Sequence, residues 1–340
     1  MRDSMKTFCR LTLALYITFT ITPCYADSDK ADSIEAQLVG AAEHGQLAEV
    51  KKLLSNGANV NGKYYSSTAL NSAIIKKNAD LVALLLKQGA DPNLADATST
   101  PLIKAVTYFG NPNIVDLLLK NGADPNLAFG NEKEKEGPLG YLSKTVRSSE
   151  SDQIEDLNLL VHAGARVDAT SADGRTPLHN AILLNKVDLV RALLKFGANP
   201  NQIMQADIPD FSTGETPLQT AVANYGNSRD ISIVKLLLDF GANPNYHNNR
   251  LFQEDIHASQ YDSWNGVTPL IIAAQMGYNP IVSFLLSRGA DPCINRTDGI
   301  SPREAAINSK HVETARIITE YLKKHPCQVS SGATYLNAKM

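Results

Sequence analysis

The sequence predicts an all-α solenoid of about eight helix–turn–helix units with projecting loops, and three recurrences predict it. The first is a Gly-Ala doublet followed by a polar or basic residue, at Gly57, Gly89, Gly122, Gly164, Gly197, Gly241 and Gly289. The second is a leucine run ahead of each doublet, as in Leu84-Leu85-Leu86, Leu117-Leu118-Leu119 and Leu236-Leu237-Leu238. The third lies further upstream and reads Thr100-Pro101-Leu102, Thr176-Pro177-Leu178-His179, Thr216-Pro217-Leu218 and Thr268-Pro269-Leu270. The doublets are spaced by 32, 33, 42, 33, 44 and 48 residues, a base period of about 33 with extra residues in three units. A fixed period of this size marks a stacked-repeat architecture.

Each part of the phrase has a physical job. Thr or Ser caps a helix, because its hydroxyl accepts an orphan backbone N–H. Pro follows at the first helical position, where no N–H is needed. A short helix comes next, as over 177–184. A turn with Gly or Asn leads to a second helix whose Ile/Val-x-x-Leu-Leu spacing makes a one-sided apolar stripe, as over 187–196. Gly of the doublet takes the left-handed conformation that ends a helix. Asp/Asn-Pro-Asn or Asp-Pro-Cys then supplies a tight turn, as at Asp91-Pro92-Asn93, Asn199-Pro200-Asn201 and Asp291-Pro292-Cys293. One such unit cannot bury its leucine face alone, whereas stacked neighbours share one core.

The expected units are 33–61, 66–93, 99–126, 137–168, 173–201, 213–245, 265–293 and 298–322, followed by a tail over 323–340. Weaker copies of the opening phrase are Thr68-Ala69-Leu70, Gly137-Pro138-Leu139 and Ser301-Pro302-Arg303. In unit four Ser148-Ser149-Glu150-Ser151-Asp152 is expected to lengthen the helix–helix turn, and a charged loop, Asn131 to Glu136, precedes it. Two further insertions are Gln202–Ser212 and Tyr246–Trp264. The end units carry polar outer faces, Glu35, Gln37, Glu43 and His44 at one end and Arg303, Glu304, Asn308, Lys310, His311 and Glu313 at the other, as the ends of a stack require.

In its Thr-Pro-Leu-His-x-Ala phrase and its Gly-Ala-Asp-x-Asn close, the chain resembles the ankyrin-repeat family, over about residues 33–322. The resemblance implies a non-enzymatic protein that holds another protein on a concave side, using projecting loops and the exposed ends of the first helices. Matching the phrase unit by unit, those helix positions are Ile75 and Lys76, Thr107 and Tyr108, Leu183 and Leu184, Asn224 and Tyr225, and Gln275 and Met276. The loops add Tyr64, Tyr65, Phe129, Phe211, Tyr246, Phe252, Tyr261 and Trp264. Aromatic residues anchor interfaces. Tyr64, Tyr65 and Trp264 either do so or tuck against the loop's own base, and Phe211 and Phe252 are read as tucked.

Composition narrows the function further. The chain has 340 residues, 43% of them hydrophobic and 20% charged, which supplies a large core, and the net charge is −3. A mildly acidic chain without a long basic run does not suit nucleic acid or an anionic lipid surface. Arg2, Lys6 and Arg10 precede the apolar run Leu11–Ile21, and Thr22-Pro23-Cys24-Tyr25-Ala26 ends it on a small residue. That layout is a secretory signal peptide cleaved after Ala26, so residues 1–26 are expected to leave and the rest to reach a bacterial periplasm or the exterior. The remainder, with 29 basic and 34 acidic groups, carries −5. It is expected to act as a monomer, with no membrane contact and no cofactor.

Cys293 and Cys327 remain after cleavage, and an oxidising compartment invites a disulfide between them. Equivalent points in adjacent units lie about 10 Å apart, whereas a disulfide needs Cα atoms about 6 Å apart. The bond therefore requires the tail after Leu322 to fold back, and two separate thiols are the alternative.

Catalytic signatures are missing. No His-Glu-x-x-His or Gly-x-Ser-x-Gly occurs, and no Gly-x-x-x-x-Gly-Lys is followed by the Ser or Thr that completes a phosphate-cradling loop. His179 belongs to the repeated phrase, where it is expected to hydrogen-bond between turns. His247, His257, Glu254, Asp255 and Asp262 share an insertion, but their spacing fits no standard metal site. The second reading of the function is an enzyme or metal-dependent factor with its site in the insertions 202–212 and 246–264.

Overall fold

The computed structural model describes residues 33–107, 110–131, 135–146, 149–204, 214–247 and 266–327. The signal-peptide reading of residues 1–26 lies outside the described residues. So do most of the two later insertions and residues 328–340.

The described residues form eight helix pairs. They are α1 (Ile34–Glu43) and α2 (Leu47–Ser55), α3 (Ala69–Ile75) and α4 (Ala79–Lys87), α5 (Pro101–Thr107) and α6 (Pro112–Lys120), and α7 (Pro138–Lys144) and α8 (Glu150–His162). The series continues with α9 (Pro177–Leu183) and α10 (Val187–Lys195), α11 (Pro217–Ser228) and α12 (Ser232–Asp239), α13 (Pro269–Met276) and α14 (Asn279–Ser287), and α15 (Pro302–Asn308) and α16 (Val312–Lys324). First helices pack on first helices in unbroken order from α1 to α15. Second helices form another layer, with α4, α6, α8, α10 and α12 packed in sequence and α14 on α16. The result is the all-α solenoid of helix–turn–helix units that the repeats predict.

The phrase explains each boundary. Thr176 Oγ1 accepts the His179 N–H at 3.4 Å, and Thr68, Thr100, Thr216, Thr268 and Ser301 do the same three residues on in their units. Each cap satisfies a donor that the first turn would otherwise leave unpaired. At the far end of α4, Gly89 N donates to Leu86 O at 3.0 Å and Ala90 N to Leu85 O at 3.0 Å. This pairing of helix-end carbonyls needs a left-handed residue between the two donors, and Gly89 supplies it at φ 87°. The same conformation recurs at the other six doublet glycines.

Second helices bury one face, in full at Leu81, Val82, Leu85 and Leu86, at Leu189, Val190, Leu193 and Leu194, and at Ile281, Val282, Leu285 and Leu286. The short first helices are buried along most of their length, as at Pro177–Ile182. One contiguous apolar cluster runs from Leu38 to Ile318.

Two local expectations are corrected and one loop gains a defined structure. Glu150, Ser151 and Asp152 extend α8 instead of its preceding turn, because Ser149 Oγ accepts the Asp152 N–H at 3.2 Å and starts the helix there. The last helix runs to Lys324, two residues past the expected end of unit eight, and Cys327 beyond it is tied to Cys293. The loop before α3 forms a two-stranded antiparallel hairpin, β1 (Lys63–Tyr64) and β2 (Ser67–Thr68), with Lys63 opposite Thr68.

Candidate interaction surface

A row of inter-unit hydrogen bonds holds the loops in register, and one more ties the caps of two first helices. The fourth residue after each doublet glycine builds the row. Asn61 Nδ2 donates to Gly89 O at 3.2 Å while its Oδ1 accepts from Asp91 N at 2.8 Å. Asn93, Asn126, Asn201 and Asn245 repeat this double contact onto the next unit. Asp168 stands at the same position with no amide, so it only accepts, from Asn199 N at 3.1 Å. Burial pushes its carboxyl above the usual range, against that one hydrogen bond.

The other contact lies among the capping residues. The Thr176 N–H donates to His179 Nδ1 at 3.3 Å, so that nitrogen is unprotonated and Nε2 carries the proton. Burial lowers the ring's pKa to about 4, and its buried Nε2 has no hydrogen-bond partner. In the following unit Gln219 closes the cap and reaches the next unit, with Oε1 accepting from Thr216 N at 2.9 Å and Nε2 donating to Val267 O at 2.6 Å. His179 is thus a neutral residue that closes the cap of its own helix with Thr176, and the expected hydrogen bond between turns is not made.

Unit four lacks both devices, since Gly137 and Gly140 replace the cap and the capping residue. Glu136 folds into the vacated space, where a Cβ on Gly140 would lie 2.4 Å from its Oε1. Burial raises the Glu136 carboxyl, and Lys144 at 2.8 Å opposes the rise. A groove of about 330 Å³ opens beside it, lined by Lys135, Arg166, Thr170 and Ser171.

On this frame the ends of the first helices present an apolar strip. Ile75, Leu183, Leu184 and Met276 are exposed by 43%, 42%, 41% and 38%, which for large aliphatic side chains is a surface left uncovered. Ile307 in α15 and Val146 after α7 are exposed as well, and the phrase-matching in the sequence missed both. Ile307 sits one position earlier in its phrase, and Val146 lies beyond the helix end. Tyr225 is different. Its ring meets Tyr278 at 5.0 Å and packs against the core, so it serves the stacking of units. The fit is close, since a Cβ on Gly226 would lie 2.3 Å from the Tyr278 hydroxyl oxygen. Asn224 is spent similarly, its Nδ2 donating to Ile182 O at 2.9 Å. Tyr108 and Trp264 lie outside the described residues, as do Phe211, Phe252 and Tyr261.

At the hairpin tip, Tyr65 is 75% exposed and both turn residues, Tyr65 and Ser66, have positive φ, 46° and 67°. Tyr64 is half-buried, with its ring 4.4 Å from that of Tyr65.

Charge is segregated along the same strip. The first helices and their C-terminal turns in units two to seven (68–77, 100–110, 137–146, 176–186, 216–229 and 268–277) contain no Asp or Glu. They carry Lys76, Lys77, Lys104, Lys144, Lys186 and Arg229 in a chain of net charge −3. Lys104 is buried against Asp96 at 3.0 Å, and the others lie at or near the surface. Among the described residues no group of three or more His, Cys, Asp or Glu could hold a metal ion, and no helix is long and apolar enough to cross a membrane.

Models of known families match this chain over residues 38–128 and 146–248, as ankyrin repeats in three copies, and over 265–297, as a single ankyrin repeat. The chain is 32% identical over 214 residues to the mitochondrial disaggregase of Homo sapiens, covering 63% of this chain and 27% of that protein. It is 32% identical over 197 residues to the ankyrin repeat and SOCS box protein 6 of Homo sapiens, covering 50% of this chain and 45% of that protein. It therefore spans less than half the length of either relative. Among solved structures it is similar to the human ASB11 ankyrin repeat domain, with a TM-score of 0.53 and 25% identity over 75% of this chain and 98% of that one.

Proposed function

This chain belongs to the ankyrin-repeat family, whose repeats build scaffolds for protein–protein interaction, and from that premise we propose that it is a non-enzymatic scaffold docking its partner on the first-helix strip. The observation that carries this reading is the uncovered row Ile75, Leu183, Leu184 and Met276 at repeated positions of one layer. Tyr65 at the hairpin tip and Lys76 and Arg229 at the helix ends complete the surface. An apolar strip without carboxylates suits a partner segment that carries apolar side chains among acidic ones. Stacked units hold these residues in place, so little conformational entropy is lost on docking. Tyr108 and Trp264 extend the proposed surface on sequence grounds.

We further propose that the protein is exported through cleavage after Ala26 and acts as a monomer in the periplasm or outside the cell. That reading draws on the leader sequence and not on the human relatives.

Site-specific photo-crosslinking tests the docking face. A photoreactive residue at position 183 or 276 is expected to capture the partner, and one at Lys195 in the second layer is not. Capture from Lys195 alone would reject the strip. With the partner in hand, Leu183→Ala is expected to weaken binding about fivefold or more, the effect of truncating an interface anchor.

A further inference from the structure

Cys293 is the fourth residue after Gly289, the position that asparagine holds in five of the six earlier units. Its backbone is set as theirs is. Cys293 N donates to Asp291 Oδ1 at 2.8 Å, just as Asn93 N donates to Asp91 Oδ1 at 2.8 Å. An asparagine there would reach for the doublet-glycine carbonyl of the next unit. Unit eight has no doublet, because α16 continues through the equivalent residues to Lys324. Instead the chain folds back after the helix, and Cys293 bonds to Cys327 with Cα atoms 5.7 Å apart. The disulfide takes the place of the missing last rung. Cys327 is exposed and Cys293 half-buried, beside a groove of about 380 Å³ lined by Gly289, Pro292, Tyr321, His325 and Pro326.

We propose that this covalent rung is a thiol–disulfide exchange site whose reagent is a dithiol, free or protein-borne, and whose redox state sets whether the last unit is closed. A reagent thiolate attacks Sγ of Cys327, the more exposed residue of the pair, forms a mixed disulfide and expels the Cys293 thiolate, which takes up a proton. The reagent's second thiolate attacks its own sulfur in the mixed disulfide and releases the Cys327 thiolate, which is protonated in turn. The protein disulfide gains two electrons and two protons, and the dithiol becomes a disulfide. An oxidised dithiol closes the bond by the reverse steps. Opening leaves the end of α16 without its tie, while the asparagine rungs of the inner units are untouched by reagent. The proposal stands apart from the docking strip and from export.

Hydrogen exchange on the full chain, oxidised and then treated with dithiothreitol, tests it. The α16 amides are expected to exchange faster on reduction by on the order of a hundredfold, with α9 to α12 unchanged and protection regained on reoxidation. Cys293→Ser and Cys327→Ser are each expected to match the reduced protein without any reductant. Brief exposure to glutathione with acid quenching and peptide mapping is expected to place the adduct on Cys327. Absence of a 293–327 linked peptide in the oxidised protein, or α16 protection indifferent to reduction, overturns the rung. An adduct on Cys293 overturns the assigned point of attack.

Discussion

At the scale of single residues, the same ladder position holds different chemistry in different units, and the differences predict stability. His179 is neutral in the fold, with its pKa lowered from 6.5 to about 4 by burial. Between those values the unfolded chain binds more protons than the folded one, so stability is complete above pH 6.5 and is lost as pH falls toward 4. The shift corresponds to about 3 kcal/mol by the time pH 4 is passed. His179→Gln should abolish this component while keeping the cap, because glutamine does not titrate and Gln219 already accepts from the cap N–H at the equivalent position in the next unit. Urea midpoints from pH 4 to pH 7 for the two proteins check it, and an unchanged acid slope would remove His179 as its source. Asp168 is the opposite case, an acceptor where a donor is also wanted. Asp168→Asn should add a bond to the Gly197 carbonyl and raise stability by about 1 kcal/mol, the net worth of one hydrogen bond. A lower thermal midpoint for this variant would show that Asp168 has a compensating partner.

At the scale of elements, the hairpin of β1 and β2 shows a local rule broken at an exposed place. Two-residue turns with positive φ at both centres favour Asn-Gly, and a bulky aromatic in that conformation is strained. Tyr65 and Ser66 occupy it nonetheless. Replacing them by Tyr65→Asn and Ser66→Gly should stabilise the protein by about 0.5–1 kcal/mol, since the new residues adopt the turn without strain. The same double variant should bind the partner more weakly, because the exposed ring is gone. Thermal denaturation and a binding titration measure the two effects, and unchanged affinity would take Tyr65 out of the docking surface. Unit four is a second departure, where Glu136 fills the space that Gly137 and Gly140 leave empty. Its neighbours Lys144 and Asn180 make the substitution tolerable, since a buried carboxylate without such partners would be costly.

At the scale of the whole molecule, the continuous core from Leu38 to Ile318 makes each unit's stability a property of its neighbours. The stack also needs an end, and α16 provides one. Its outer side carries the pairs Glu313–Arg316 and Glu320–Lys323, which keep it wet, and its last turn leads into the disulfide. The sequence by itself determined the period, the two helices per unit, the capping residues and the left-handed glycines. These depend on contacts within a few residues of chain, where backbone sterics and local hydrogen bonds act alone. It also marked the exposed aliphatic positions Ile75, Leu183, Leu184 and Met276. Only the tertiary structure decided that Tyr225 and Asn224 are spent between units and that Cys327 returns to Cys293. Those outcomes turn on which side chain of the next unit lies opposite, some 30 to 50 residues away, and insertions of variable length hide that register from any reading along the chain.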